Sequence, residues 1–172
     1  MSVEAAAADV VMASFEPGSV GAVVDSLGNP EFIIAAAAGG AFGAALGALP
    51  AFVFTGFFVM AGVAGGGMVG IGFGPVFGPH VSFAGGAAAA AYAAKKGKME
   101  SGMGYHNGKD ITTALGLEPD ILAVGAGFGI FGVVSEQIFR QLAIPTDPIA
   151  ITVFISAILH RIVFGYPVIG VV

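Results

Sequence analysis

A chain of 172 residues with 56% hydrophobic and only 10% charged side chains is not composed like a water-soluble domain, where about a quarter of residues are charged. The absence of cysteine excludes disulfides, thiolate catalysis, iron–sulfur ligation and cysteine-based zinc sites together. The net charge of −5 includes no broad basic face, which argues against nucleic acid as a partner.

All charges up to Glu31 are acidic: Glu4, Asp9, Glu16, Asp25 and Glu31 itself. A secretory signal peptide opens on a basic segment followed by an apolar core. The start Met1-Ser2-Val3-Glu4, with Asp9 inside the first apolar run, does not fit, and no signal peptide is expected. Val3–Ser14 reads as an amphipathic helix lying at the membrane surface, with a loosely ordered tail as the alternative.

From Phe32 to Ala94 the chain has no Asp, Glu, Lys or Arg. At roughly 20 apolar residues per crossing, that run alone holds about three helices. The fold class expected is an all-α integral membrane protein of about five transmembrane helices. The first covers about Glu31–Ala48, ended by Leu49-Pro50, and the second about Ala51–Gly72. A Gly/Pro-rich bend follows from Gly72 to Pro79, then a third helix over about His80–Ala94. The fourth is about Asp120–Leu142 and the fifth about Pro148–Phe164. The third, at about 15 residues against the ~20 of a full crossing, either spans or re-enters.

Lysines collect on the cytoplasmic side of membranes. Lys95, Lys96, Lys98 and Lys109 share the loop between the third and fourth helices, so that loop is expected in the cytoplasm, and Arg161 reaches the same face. A multi-pass cell-membrane protein with its N-terminus outside and its C-terminus inside follows from those charges.

The chain also resembles itself. Leu27-Gly28-Asn29-Pro30-Glu31 is answered by Leu115-Gly116-Leu117-Glu118-Pro119-Asp120. Allowing one inserted residue, Gly40, Phe42 and Gly43 fall on Gly129, Phe131 and Gly132. Thr55 and Phe57 answer Thr152 and Phe154, and Pro75-Val76-Phe77-Gly78 answers Pro167-Val168-Ile169-Gly170. A single membrane domain over 1–172 is expected. Repeat one covers about 18–78, the third helix and cytoplasmic loop about 79–108, and repeat two about 109–170. If the third helix spans, the repeats are inverted, the architecture of many secondary transporters. In each unit a proline opens the helix and an acid, Glu31 or Asp120, sits in its first turn against the positive helix end. Capping and anchoring is the default for these acids, an ion-selecting ring the sharper alternative.

Glycines striping the first, second and fourth helices at spacings of three and four are read as close-packing faces, within the protomer and between protomers. Ionisable residues inside spans point to function. Glu136 and Arg140, one turn apart on the fourth helix with Gln137 beside them, are read as a neutralised pair or the polar lining of a path. His80 and Ser82 follow the Gly/Pro bend. Irregular backbone at membrane depth is tolerated only inside protein or along a wet cavity, so residues 72–82 are the candidate filter or substrate loop. His160 is read as structural and Arg161 as an interfacial anchor. His106 and Asp110 in the loop are too few for a metal site. No phosphate-binding glycine loop and no catalytic set is recognisable, so no cofactor and no enzyme activity are expected.

Gly78-Pro-His-Val-Ser-Phe-Ala-Gly-Gly86, the alanine run into Lys95-Lys96-Gly97 and Thr146-Asp-Pro-Ile-Ala-Ile-Thr152 resemble an uncharacterised family of small prokaryotic, mostly archaeal, multi-pass membrane proteins. That resemblance implies no activity. The functional expectation is a homo-oligomeric channel or transporter for a small ion or solute. Glu136, Arg140, Gln137, His80 and Ser82 are the candidate path and membrane lipids the surroundings. The alternative is a structural or accessory protein, packed in an array or within a larger membrane complex.

Overall fold

The computed structural model describes residues 27–66, 69–99, 108 and 110–169. Val3–Ser14, His106 and the ends of both repeats lie outside them. Within them the protein is all-helical, with no strand. Helix α1 covers Pro30–Leu46 and α2 Ala48–Ala61, continued by a π-helical turn at Gly62–Gly66. A short α3 at Val69–Gly72 leads through a non-helical stretch into a second π turn, Pro79–Phe83, which runs on into α4, Ala84–Lys95. Helices α5, Pro119–Gln141, and α6, Pro148–Val163, complete the chain.

Local chemistry sets the helix ends. Pro30 starts α1, and the Asn29 side chain accepts from the Glu31 N–H at 2.9 Å. Asp147 does the same for α6, accepting from the Ala150 N–H at 2.7 Å. At Gly47 the backbone takes φ +100°, a conformation that favours glycine, and α1 turns sharply into α2. The α1 helix therefore stops before Leu49-Pro50, and Pro50 falls in the first turn of α2, where its missing N–H is harmless.

Side contacts give the course of the chain. Phe42 of α1 meets Phe54 of α2 edge-on, so the two form a hairpin about Gly47. Gly62 opposes Val69, and Gly72 opposes Thr55, Phe58 and Val59, so the chain reverses again near Gly65, which has φ +99°. The expected second helix, Ala51–Gly72, is therefore two limbs: α2 rising and α3 returning. The Gly/Pro bend lies on the returning limb. Its Phe77 packs on Phe42 and Phe58, against the sides of α1 and α2, instead of capping an outer turn. Residues 69–95 thus make one descending pass with a break in its middle. Gly125 lies against Gly40 and Ala44, and Gly129 against Ala36 and Gly40, so α5 rises antiparallel to α1. Phe128 meets His160 and Phe164, so α6 descends beside it.

The interior is made mostly of small residues, with Val81, Ile121 and Val133 the largest apolar side chains fully buried. Ala36, Gly40 and Ala44 of α1 meet Gly125 and Gly129 of α5, Gly85 of α4 meets Gly40 and Gly125, and Gly39 and Gly43 of α1 lie against the backbone of Val76 and Ser82. A side chain on Gly40 or Gly129 would run into the other helix's backbone. These faces are therefore consumed inside the protomer. Many of the large apolar side chains lie outside: Phe57 is 56% exposed, Met60 61% and Val63 78%. Two helical stretches, Ala48–Gly65 and Pro119–Gln141, are long and apolar enough to cross a membrane; Pro30–Leu46 and Pro148–Val163 are apolar but shorter.

Candidate functional site

The break in the descending pass is the centre of the site. Its π turn passes between α1 and α5 backbone to backbone. A Cβ on Gly43 would sit on the Ser82 carbonyl oxygen, and one on Gly132 on the His80 carbonyl oxygen. Only glycine on both helices lets a helix start so deep in the bundle. The loop above it is tied down by hydroxyls. Thr55 of α2 donates to the Phe77 carbonyl at 2.5 Å, and Ser82 donates to the same oxygen at 3.2 Å. Ser82 is thus a fastener for the break, turned toward α1.

His80 is buried, its ring folded over Gly78, and its Nδ1 has no protein hydrogen-bond partner. One turn above Gly132, Glu136 receives Arg140 Nε in an ion pair and Gln137 Nε2 at 2.8 Å. Both charged side chains are largely buried, at 5% and 16% exposed. The charges of Arg140 and Asp147 both reach His80. Four of the five residues singled out from sequence, Glu136, Gln137, Arg140 and His80, therefore gather at the upper end of α5. Ser82 stands on the other side of the break.

Sequence reasoning passed over a polar stripe on α6. Thr152, Ser156 and His160, spaced by four, all face inward, while Phe154, Ile162 and Val163 of the same helix face outward. Thr152 Oγ1, Ser156 Oγ and His160 Nδ1 lack protein hydrogen-bond partners, as does Gln141 Oε1 near the top of the stripe. A buried polar group without a partner costs about 1–3 kcal/mol, and native structures keep few of them. The spacing was visible in the sequence. Ser and Thr in an apolar helix raise no alarm because they can bond their own backbone.

The lower end is a different environment. Lys98 Nζ meets Asp120 Oδ1 at 2.8 Å and Glu118 at 3.3 Å, and Tyr92 donates to Asp120 Oδ2 at 3.0 Å. The hydrogen bond to Asp120 holds the Lys98 ammonium above its ordinary pKa. Asp120 is therefore engaged in anchoring α5 to the end of α4. Asp110 accepts from Thr112 and Thr113 and closes a turn. No group of three or more His, Asp or Glu able to hold a metal occurs among the described residues.

The profile of a family of unknown function, DUF7973, matches residues 22–70 and 63–172. No curated protein and no solved structure matches the chain.

Proposed function

The chain belongs to the DUF7973 family, whose function is unknown, and from that premise we propose a homo-oligomeric membrane channel or transporter for a small ion or solute. In this reading the bundle crosses the bilayer five times, the third crossing being the broken pass over residues 69–95. The inside-out distribution of side chains supports the membrane. Phe52, Phe54, Phe57 and Met60 on α2 and Val63 on its π-helical continuation are exposed, while alanine and glycine dominate the interior. That arrangement is unfavourable in water and suits lipid, where close packing of small residues takes over from hydrophobic burial.

One observation carries the transport reading: the break at residues 73–83, enclosed between Gly43 and Gly132 and adjoining the buried Glu136–Arg140 pair. Discontinuous helices at the contact of inverted repeats are where secondary transporters bind substrate. The antiparallel course of α1 and α5, with Gly40 against its sequence counterpart Gly129, supports an inverted repeat. Lys95, Lys96, Lys98 and Arg161 share the lower end, which supports a cytoplasmic assignment for it, with the N-terminus outside.

Flux through liposomes carrying the purified native protein tests the reading. Selective flux above empty liposomes, altered by Glu136→Gln, is expected. Absence of flux across a panel of ions and small solutes overturns it. It would favour the second reading, an accessory subunit, for which the exposed face of α2 offers a surface for a neighbouring chain.

A further inference from the structure

At mid-depth α1 and α5 bury mainly small or apolar residues, α2 adds Thr55, and the broken pass adds His80 and Ser82. On α6 the inward face is a ladder of hydrogen-bonding groups. Phe128 of α5 opposes His160. The hairpin register then brings Ser156 level with Gly132, whose surface is taken by the His80 carbonyl, and Thr152 level with Glu136. From Gln141 to the level of His160 the line follows α5 for about 20 Å. Thr152, Ser156, His80 and His160 are buried and Gln141 is half-buried, and each of the five carries a side-chain atom with no protein hydrogen-bond partner.

We propose that the ion moved by this protein is the proton, carried along the α6 ladder of Thr152, Ser156 and His160 from the Glu136–Arg140 end to the lower face. The proposal rests on the transport reading above and names its substrate. Hydroxyl and imidazole groups both donate and accept, so each rung takes one proton from above and releases its own below, ending neutral. No redox partner is required. Successive rungs are about 6 Å apart, a gap that one water bridges with two hydrogen bonds of about 2.8 Å. Metal cations fit poorly. Glu136 is the ladder's one carboxylate and is already paired with Arg140, and among the described residues no cluster of three acidic or histidine ligands exists.

In this structure the ladder is closed. Thr152 is 0% and Ser156 1% exposed, which leaves no room for bridging water. Conduction therefore requires α6 to move off α5 by about a water diameter, ~2.8 Å. The joint for that motion is the connection at residues 142–147. Ala143 there has φ +46°, the one positive φ of a non-glycine among the described residues. The charges flanking the ladder are Glu136, Arg140 and Asp147 above and Arg161 beside His160 below.

The test uses the full chain in liposomes with an internal pH dye, a potassium gradient and valinomycin setting the voltage. Proton uptake above empty liposomes is expected. Ser156→Ala and His160→Gln should each cut it about tenfold, the effect of losing one hydrogen bond from the rate-limiting step. Phe154→Leu, on the outer face of α6, should leave it unchanged. Melting temperatures measured alongside separate lost flux from lost fold. Flux of sodium, potassium or chloride without protons overturns the proton path and leaves the transport reading standing, and so does proton flux indifferent to both ladder variants. No flux of any kind overturns both.

Discussion

Helices α2 and α5 are both long and apolar enough to cross a bilayer, yet they end in opposite surroundings. Over its most apolar window α5 is 39% buried, whereas α2 with its π continuation is 17% buried. The difference lies in where the glycines point. On α5, Gly125, Gly129 and Gly132 share one face and admit the backbones of α1 and of the broken pass. On α2, Gly56 has nothing within 4 Å, and the phenylalanines dominate the surface. Apolarity brings a helix out of water. The smoothness of its face decides whether it becomes the centre of a bundle or its rim.

Roughening each helix in turn should have opposite consequences. Gly132→Val forces a branched side chain onto the His80 carbonyl. It should cost about 3 kcal/mol or more and abolish the folded protomer in detergent. Gly56→Ala should be neutral or stabilise by up to about 1 kcal/mol, since alanine is the better helix former. Equal effects in thermal melts would refute the distinction. Next in size, Phe57→Lys puts a charge on the exposed face of α2. In a bilayer this should cost about 2.5–3.5 kcal/mol of insertion energy, seen as loss of membrane-integrated protein. A protein facing water there would show no loss.

Thr55→Val addresses the hydrogen bond by which α2 holds the break. It removes a donor from the Phe77 carbonyl while Ser82 still holds that oxygen, so about 1 kcal/mol of stability should go. A loss near zero would show that Ser82 alone fixes the break. The smallest effect is expected at the exposed lower end, from Lys98→Ala. Because Asp120 raises the folded-state pKa of Lys98, any stabilisation is fully present below the ordinary value of 10.5 and fades as pH rises through the raised value. The difference between wild type and Lys98→Ala in melting temperature should therefore shrink above that pH. A difference that grows there would contradict the assignment.

Much of the architecture was legible in the residues. The charge-free run and the prolines at residues 30, 119 and 148 mark helices whose starts fall within a residue or two of those expected. The break at Gly72–Pro79 was also expected, because Gly and Pro do not continue a helix. The reversal at Gly65 was not legible. A run of Val, Ala and Gly reads as continuous apolar helix until one knows that Gly62 and Val69 face each other. Of the site, Glu136, Gln137 and Arg140 were recoverable because charge in an apolar helix stands out and i, i+4 spacing pairs it. The α6 ladder was not, because a hydroxyl at one position in four is neutral evidence until its partners are known.

Residue content and local chemistry account for a helical, cysteine-free, apolar chain with four of its six basic side chains between Lys95 and Lys109. These are local or additive, and each residue carries its share regardless of neighbours. Helix packing is what puts His80 beside Gly132, makes Ser82 a fastener for the break and buries Thr152, Ser156 and His160 on one face of α6. Those facts depend on which backbones approach which. Close approach is settled by the joint fit of several helices, which no single stretch of sequence encodes.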